Sequence, residues 1–303
     1  MISIYPTIYH EFQCKADQCE NTCCQLWTID IDEPTAERYH SMTGSLGESL
    51  RQAITVDDEG SHFIFSKAQP MCPLLNEKGL CKVVLELGEE GLCNTCHMHP
   101  RFYKYIEDLE LCGVGLSCEA SVELLARQEP MDLLLFTIED DHNEFNSEER
   151  LTLQNVFELL AFDLDPNLFQ YAPNPTKQSF KELLDLYKQT EPIDENWTAQ
   201  VNTLSSKLDQ LIASVQTYIQ HEDMSLFNKV YQYILYRQID MLSDYSLESI
   251  LAYAKDGTDY ILIASALEGQ PLKQIARWSQ QIEYDEDNVA LLLQHYEAQL
   301  IIE

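Results

Sequence analysis

Four thiols fall within eleven residues in the stretch Cys14-Lys-Ala-Asp-Gln-Cys19-Glu-Asn-Thr-Cys23-Cys24. A second group follows at Cys72, Cys81, Cys93 and Cys96 and a pair at Cys112 and Cys118, so all ten cysteines lie in the first 118 of 303 residues. Thiols at this density have two ordinary uses, a disulfide framework or metal coordination. The opening Met1-Ile-Ser-Ile-Tyr-Pro lacks a basic n-region, a continuous apolar h-region and a small-residue cleavage site, which reads against export. The expected location is the cytoplasm, where glutathione keeps structural disulfides reduced, and there clustered thiols read as metal ligands.

A thiolate is a soft ligand that suits zinc or an iron–sulfur cluster, and four per centre is the usual count for either. Zinc favours two compact Cys-x-x-Cys knuckles, and here only Cys93/Cys96 has that spacing. The wider gaps and the adjacent Cys23-Cys24 pair fit a 4Fe–4S cubane better, because its iron corners accept ligands from irregularly spaced loops. Spacing alone leaves both metals open. The radical S-adenosylmethionine triad Cys-x3-Cys-x2-Cys is excluded, since Cys19 and Cys23 begin it but Leu26 stands at its third position. His97 and His99 beside Cys96 could ligate metal or shuttle protons, and read equally well as a polar turn before Pro100. Arg101 could balance the charge of a tetrathiolate. Gly113-Val-Gly115 lacks the third glycine of a nucleotide loop and reads as structural.

The frame that must hold these ligands is short-ranged. Alternation over 25–33, with Leu26 or Trp27, Ile29 and Ile31 apolar, predicts a half-buried strand, and Pro34 in the first turn predicts a helix start. Residues 55–70 read as polar loop around Phe63-Ile-Phe65. Cys72 and Cys81 read as two arms joined by a turn at Asn76 to Gly79, followed by a short helix from Val83 to Leu87 that Gly88 ends. Leu109 to Cys118 is strand-like. Beyond Cys118 the period is helical throughout: Ser147-Glu-Glu-Arg predicts an N-cap leading into Leu151, Val156, Phe157 and Leu160. A joint at Pro166, Pro173 and Pro175 precedes amphipathic segments at about 176–189, 195–221, 225–243, 246–254, 258–268, 271–282 and 286–301. The expected fold class is mainly α, with a small irregular cysteine-rich metal-cluster domain with short strands over 1–125 and an all-α helical domain over 126–303.

With 45% hydrophobic and 10% aromatic residues the chain can build real cores. Its 19 basic and 51 acidic residues leave a formal charge of −32, which repels a phosphate backbone and an anionic membrane surface and attracts a cationic target such as lysine side chains. No stretch reaches the roughly 18 apolar residues of a membrane span. In the helical half, Tyr231, Tyr233, Tyr236 and Arg237 at helical spacing read first as core, and Ile282-Glu-Tyr-Asp-Glu-Asp-Asn288 as a solvated N-cap.

Taken together, Phe12-Gln-Cys14, Cys19-Glu-Asn-Thr-Cys23-Cys24, Trp27-Thr-Ile-Asp-Ile-Asp32, Cys72-Pro-Leu-Leu-Asn-Glu-Lys-Gly-Leu-Cys81, Asn94-Thr-Cys96, Pro100-Arg101 and Leu116-Ser-Cys118 resemble the flagellin lysine N-methylase family. The likeness continues at Tyr233-Ile-Leu-Tyr-Arg237 and Gln281-Ile-Glu-Tyr-Asp-Glu-Asp-Asn288. The resemblance implies methylation of lysine amines on flagellin in the bacterial cytoplasm, with S-adenosylmethionine as methyl donor and a 4Fe–4S cluster in the cysteine domain. Its pattern covers Cys14, Cys19, Cys23, Cys24, Cys72, Cys81, Cys96 and Cys118, and leaves out Cys93 and Cys112. It also departs at His99, where an aromatic is usual, and in the compact segment between Arg51 and Cys72. An amine of pKa about 10.4 must lose its proton before it attacks, so a proton acceptor is needed, and Tyr233, Tyr236 and Glu283 are the candidate catalytic residues. The Cys-Cys, Cys-Pro-Leu and Cys-x3-Pro elements also resemble small cysteine-cluster proteins that chelate zinc or iron, which implies metal binding or redox sensing without methyl transfer.

Overall fold

The structure is a computed structural model that describes the chain except Asn21, Leu26, Trp27, Glu59, 66–70, 129–132, 141–149 and Glu303. It divides into two compact units, Gln13–Phe102 on one side and Met1–Phe12 with Tyr103–Glu303 on the other. The cysteine-rich unit is thus an insertion between the first strand of the larger unit and its continuation at Tyr103. Residues 103–125, placed by sequence with the cysteines, lie in the larger unit, and the reason is strand pairing.

In chain order the larger unit opens with β1 (Ile2–Pro6), and the inserted unit follows with β2 (Asp30–Ile31), α1 (Glu33–Ser41), α2 (Gly44–Ala53), β3 (Ile54–Asp57), β4 (Gly60–Phe63), α3 (Lys82–Leu87) and α4 (Asn94–Met98). Pro34 lies in the first turn of α1, and the Asp32 carboxylate caps it by accepting from the Thr35 N–H at 3.2 Å. The strand expected over 25–33 is confined to β2, with an isolated bridge between Gln25 and Met71, while Leu26 and Trp27 lie outside the described residues. The segment read as loop from 55 onward forms instead the hairpin β3–β4, which adds β2 in the order β2-β4-β3 among the described residues. Its strands are too short for a period-2 signal to rise above the polar residues around them. The arms at Cys72 and Cys81 do meet: Leu75 bridges Cys81, and the Asn76 side chain accepts from the N–H groups of Lys78 and Leu80 to close the turn. Gly88 then ends α3 in the left-handed region at φ 76°.

The strand β5 (Arg101–Ile106) begins at the end of the inserted unit and runs into the larger unit, which continues with β6 (Leu109–Val114), α5 (Glu119–Arg127), β7 (Leu135–Asp140), β8 (Arg150–Thr152) and α6 (Leu153–Leu159). Among the described residues the sheet runs β5-β6-β1-β7-β8, with β1 parallel to β6 and antiparallel to β7. The helical period expected everywhere beyond Cys118 is therefore broken by β7 and β8. The expected N-cap at Ser147 lies outside the described residues; the helix starts at Leu153, where Thr152 and Asn155 form a capping box. From there all described regular elements are helical: α7 (Lys177–Tyr187), α8 (Glu195–Ser206), α9 (Leu208–His221), α10 (Ser225–Arg237), α11 (Leu247–Glu268), α12 (Pro271–Ile282) and α13 (Glu286–Ile302). Two expectations merge or split. The segment 195–221 breaks at Lys207, and 246–254 and 258–268 fuse into α11. That helix is buried around most of its circumference, at Ile250, Tyr253, Ala254, Tyr260, Ile261 and Ala264, because α9, α10, α12 and α13 all pack on it. The protein is mainly α, as expected, and no helix among the described residues is long and apolar enough to cross a membrane.

Candidate functional site

All ten cysteines are described and all are thiols. Five of them converge in the inserted unit: Cys72 and Cys93 are part of its core, with Ile29, Tyr39, Leu50, Leu74 and Val83, and Cys24, Cys81 and Cys96 pack against it. Local structure explains each placement. The Cys72 N–H donates to the Cys24 carbonyl at 2.9 Å, which sets these two side by side. The turn at Asn76 returns the chain so that Cys81 begins α3 beside Cys72. Cys93 stands at the N-cap of α4 and Cys96 within its first turn, with the His97 N–H bonded to the Cys93 carbonyl. The helix that carries this pair is held from two sides. Asp32, already the cap of α1, accepts from the Asn94 N–H at 2.8 Å, and Thr95 Oγ1 donates to the Asp30 carbonyl at 2.8 Å. Arg38 and Tyr39 from α1 both donate to the Gly91 carbonyl, fixing the turn that leads into Cys93.

The electrostatics are those of crowded thiols in a core. Burial pushes Cys72 up to about 12, and the neighbouring Cys24, Cys81 and Cys93 add to it. Cys81 is raised by burial as well. Within the Cys-x-x-Cys pair, Cys96 is raised because its thiol donates to Cys93, and Cys93 is lowered by the same bond. A bond from Cys23 brings Cys24 down to about 7, against the effect of burial. The Asp32 carboxyl is pushed up by burial, but the N–H groups of Asn94 and Thr35 outweigh this and hold it below the usual range. The thiols meet in one core, although among the described residues no three His, Cys, Asp or Glu side chains stand in an arrangement that holds a metal ion as they are. By donor type the set fits a tetrathiolate centre, with one ligand to spare.

Of the eight cysteines singled out from sequence, Cys24, Cys72, Cys81 and Cys96 are brought together and Cys23 joins them through Cys24. Cys14 is exposed and, like the half-buried Cys19, flanks the short turn Ala16–Gln18. Cys118 belongs to the larger unit, at the N-cap of α5. Cys93 was left out of the pattern and is fully buried among the five. Its Cys-x-x-Cys spacing with Cys96 was the signal. Cys112 lies elsewhere, buried in the larger unit beside Tyr5.

Tyr233, Tyr236 and Glu283 lie inside the larger unit. Tyr233 Oη donates to the Val114 carbonyl at 2.6 Å and accepts from the Val114 N–H at 2.8 Å, and Tyr236 Oη stands 2.7 Å from the Cys112 carbonyl and 2.8 Å from that of Ile4. Both rings are fully buried, burial raises both phenols, and both hydroxyls tie α10 to the sheet. Glu283 is buried, accepts from Ser279 Oγ, and faces Arg237 Nε at 3.5 Å. The Arg237 guanidinium lies 4.8 Å from the centre of the Tyr284 ring. The structure thus gathers Tyr233, Arg237 and Glu283 around one buried ion pair. Gly115 accommodates it, since a Cβ there would meet the Tyr284 hydroxyl at 1.9 Å.

No family model matches the chain, and no solved structure matches it. Among curated proteins, it is 28% identical over 139 residues to a lysine-N-methylase of Salmonella typhimurium and to one of Salmonella choleraesuis, covering 44% of this chain and 35% of each of those proteins. It is also 28% identical over 118 residues to the flagellar biosynthetic protein FliU of Salmonella muenchen, covering 37% of this chain and 70% of that one. The matched stretch therefore spans about a third of the length of the curated lysine-N-methylases. The chain is distantly related to these proteins over a minority of its length.

Proposed function

We propose that this chain is a protein-lysine N-methyltransferase acting on flagellin, with S-adenosylmethionine as co-substrate and a tetrathiolate centre, a 4Fe–4S cluster or alternatively zinc, in its inserted unit. The observation that carries the reading is the partial likeness to proteins named lysine-N-methylase. In the reaction, a neutral lysine amine displaces sulfur from the methyl group: the N–C bond forms as the C–S bond breaks, sulfur keeps the electron pair, and the amine nitrogen gives up a proton. No electron is exchanged, so the centre would serve to cross-link the thiols of an otherwise small core. Four of Cys24, Cys72, Cys81, Cys93 and Cys96 would hold it. Tyr233 and Tyr236 are engaged by main chain, so their role in this reading is to hold α10 against the sheet, and no proton is routed through them.

Co-expression with the flagellin of the same organism, followed by lysine mass measurement, tests the activity. Increments of one methyl group that require the protein support it, and unchanged masses with donor present and the metal centre loaded reject it. The convergence of five thiols in a unit of its own favours a second reading, a metal-binding or redox-sensing module without methyl transfer. Binding of S-adenosylmethionine by the purified protein separates the two.

A further inference from the structure

A cavity of about 300 Å³ opens in the larger unit between the turn Pro166–Phe169, α10 and α11, lined in part by Leu168, Tyr171, Tyr231, Leu251, Ala252 and Lys255. Its walls are held in place before any ligand arrives. Tyr231 Oη donates to the Leu168 carbonyl at 2.8 Å, and the Tyr171 N–H donates to Asn228 Oδ1 at 2.7 Å, so the turn is pinned to α10 from both sides. The tyrosine rings lie 6.0 Å apart and are tilted by 39°. Behind them, outside the lining itself, stand two carboxyl groups of α11, Asp256 and Asp259. The Asp259 carboxylate is 4% exposed and accepts from Tyr171 Oη and from Lys255 Nζ.

Apolar side chains, aromatic rings and a carboxylate behind them are what an ammonium on an alkyl stem requires: the stem replaces water on Leu168 and Leu251, the cation meets the rings, and the carboxylate takes the charge. Lys255 already shows that an ammonium from the cavity wall reaches Asp259. Its side chain is 38% exposed, so it can swing into solvent and yield the carboxylate to another cation. At the bottom of the roughly 300–1,000 Å³ range of ligand sites, the cavity suits one side chain better than a large ligand.

We infer that this cavity docks the acceptor lysine of the protein substrate in its ammonium form, its stem against Tyr171 and Tyr231 and its ammonium exchanging with Lys255 for Asp259; the amine sheds its proton before it attacks the methyl group. The inference rests on the methyltransferase reading for the source of the lysine; the preference for an alkylammonium rests on the cavity. A net charge of −32 favours approach of a lysine-bearing segment.

The test uses the full chain, a flagellin peptide with one lysine, and the same peptide with norleucine in its place. The wild type should bind the lysine peptide about tenfold or more tightly than the norleucine one, since a charge-assisted bond to a buried carboxylate is at stake. Ala252→Phe fills the cavity without touching a buried polar group and should abolish the difference. Lys255→Met removes the competitor and should tighten binding, a gain that misfolding cannot mimic. Equal affinity for the two peptides, or lysine selectivity unchanged in Ala252→Phe, overturns the inference. Methylation by mass in the same samples separates the two proposals: full activity in Ala252→Phe sinks the cavity and keeps the methyltransferase. Selectivity lost in Ala252→Phe, with no methylation by the wild type, does the reverse.

Discussion

Single residues in this protein gain their meaning from what surrounds them. Cys93 and Cys112 are both fully buried thiols, yet Cys93 sits among four others and Cys112 beside a tyrosine. If the converging thiols hold metal, Cys93→Ser and Cys72→Ser should cut iron or zinc content to below half that of the wild type, and Cys112→Ser should leave it unchanged; elemental analysis of the purified variants decides. Asp256 shows the same dependence on place. Burial pushes its carboxyl up to about 6, assisted by the negative Asp259 and opposed by a bond from Tyr296. The folded chain therefore holds this proton more tightly than the unfolded chain, where aspartate titrates near 3.9. Its contribution to stability is greatest below about pH 4, is lost as pH rises toward about 6, and stays constant above. Asp256→Asn should raise the urea midpoint at pH 7 and change it little at pH 4, and an equal shift at both values would show that the carboxyl is not perturbed.

At the level of elements, helix α11 sets the packing of the larger unit. Gly257 lies where α11 meets α12, and a Cβ there would come within 2.5 Å of the ring of Trp278, which is fully buried. Two effects oppose each other in Gly257→Ala. Helix propensity favours alanine by about 1 kcal/mol, while overpacking a rigid ring costs about 1–3 kcal/mol. At 2.5 Å the clash wins, since an indole held by a bond from Nε1 to Tyr187 cannot retreat. The expected outcome is a net loss of up to about 2 kcal/mol by urea denaturation, and a stabilised variant would place the ring farther away. In the inserted unit the corresponding element is α4. Only five residues long, it draws its hold from Asp32 and Thr95 rather than from propensity.

Across the whole molecule the dominant fact is the charge of −32. Like charges repel within each unit, so added salt should raise the melting temperature as the Debye length falls from about 10 Å at 0.1 M to about 3 Å at 1 M. On the proposed methyltransferase reading, the same screening should weaken capture of a lysine-bearing partner, lowering kcat/KM as stability rises. Melting curves and rates measured over one salt series check both signs, and a rate that does not fall would remove electrostatic steering from the account.

The sequence by itself determined the features that depend on neighbours in the chain. The helix begun at Pro34, the turn at Asn76, the stop at Gly88 and the amphipathic helices of the second half are set by φ restriction, side-chain capping and the 3.6-residue period, all local. It also limited the chemistry, by placing all ten thiols in the first 118 residues. Only the tertiary structure decided which thiols meet. Convergence depends on pairings such as Cys24 with Cys72, made across nearly fifty residues whose composition carries no record of them. The unit boundary was hidden for the same reason: β1 takes its partners from β6 and β7, more than a hundred residues away, so the cysteine unit closes at Phe102 and not at 125. The cavity at Tyr171 is tied to α10 by hydrogen bonds over 57 and 63 residues and to α11 by the Tyr171–Asp259 bond over 88, and no local period registers contacts of that range.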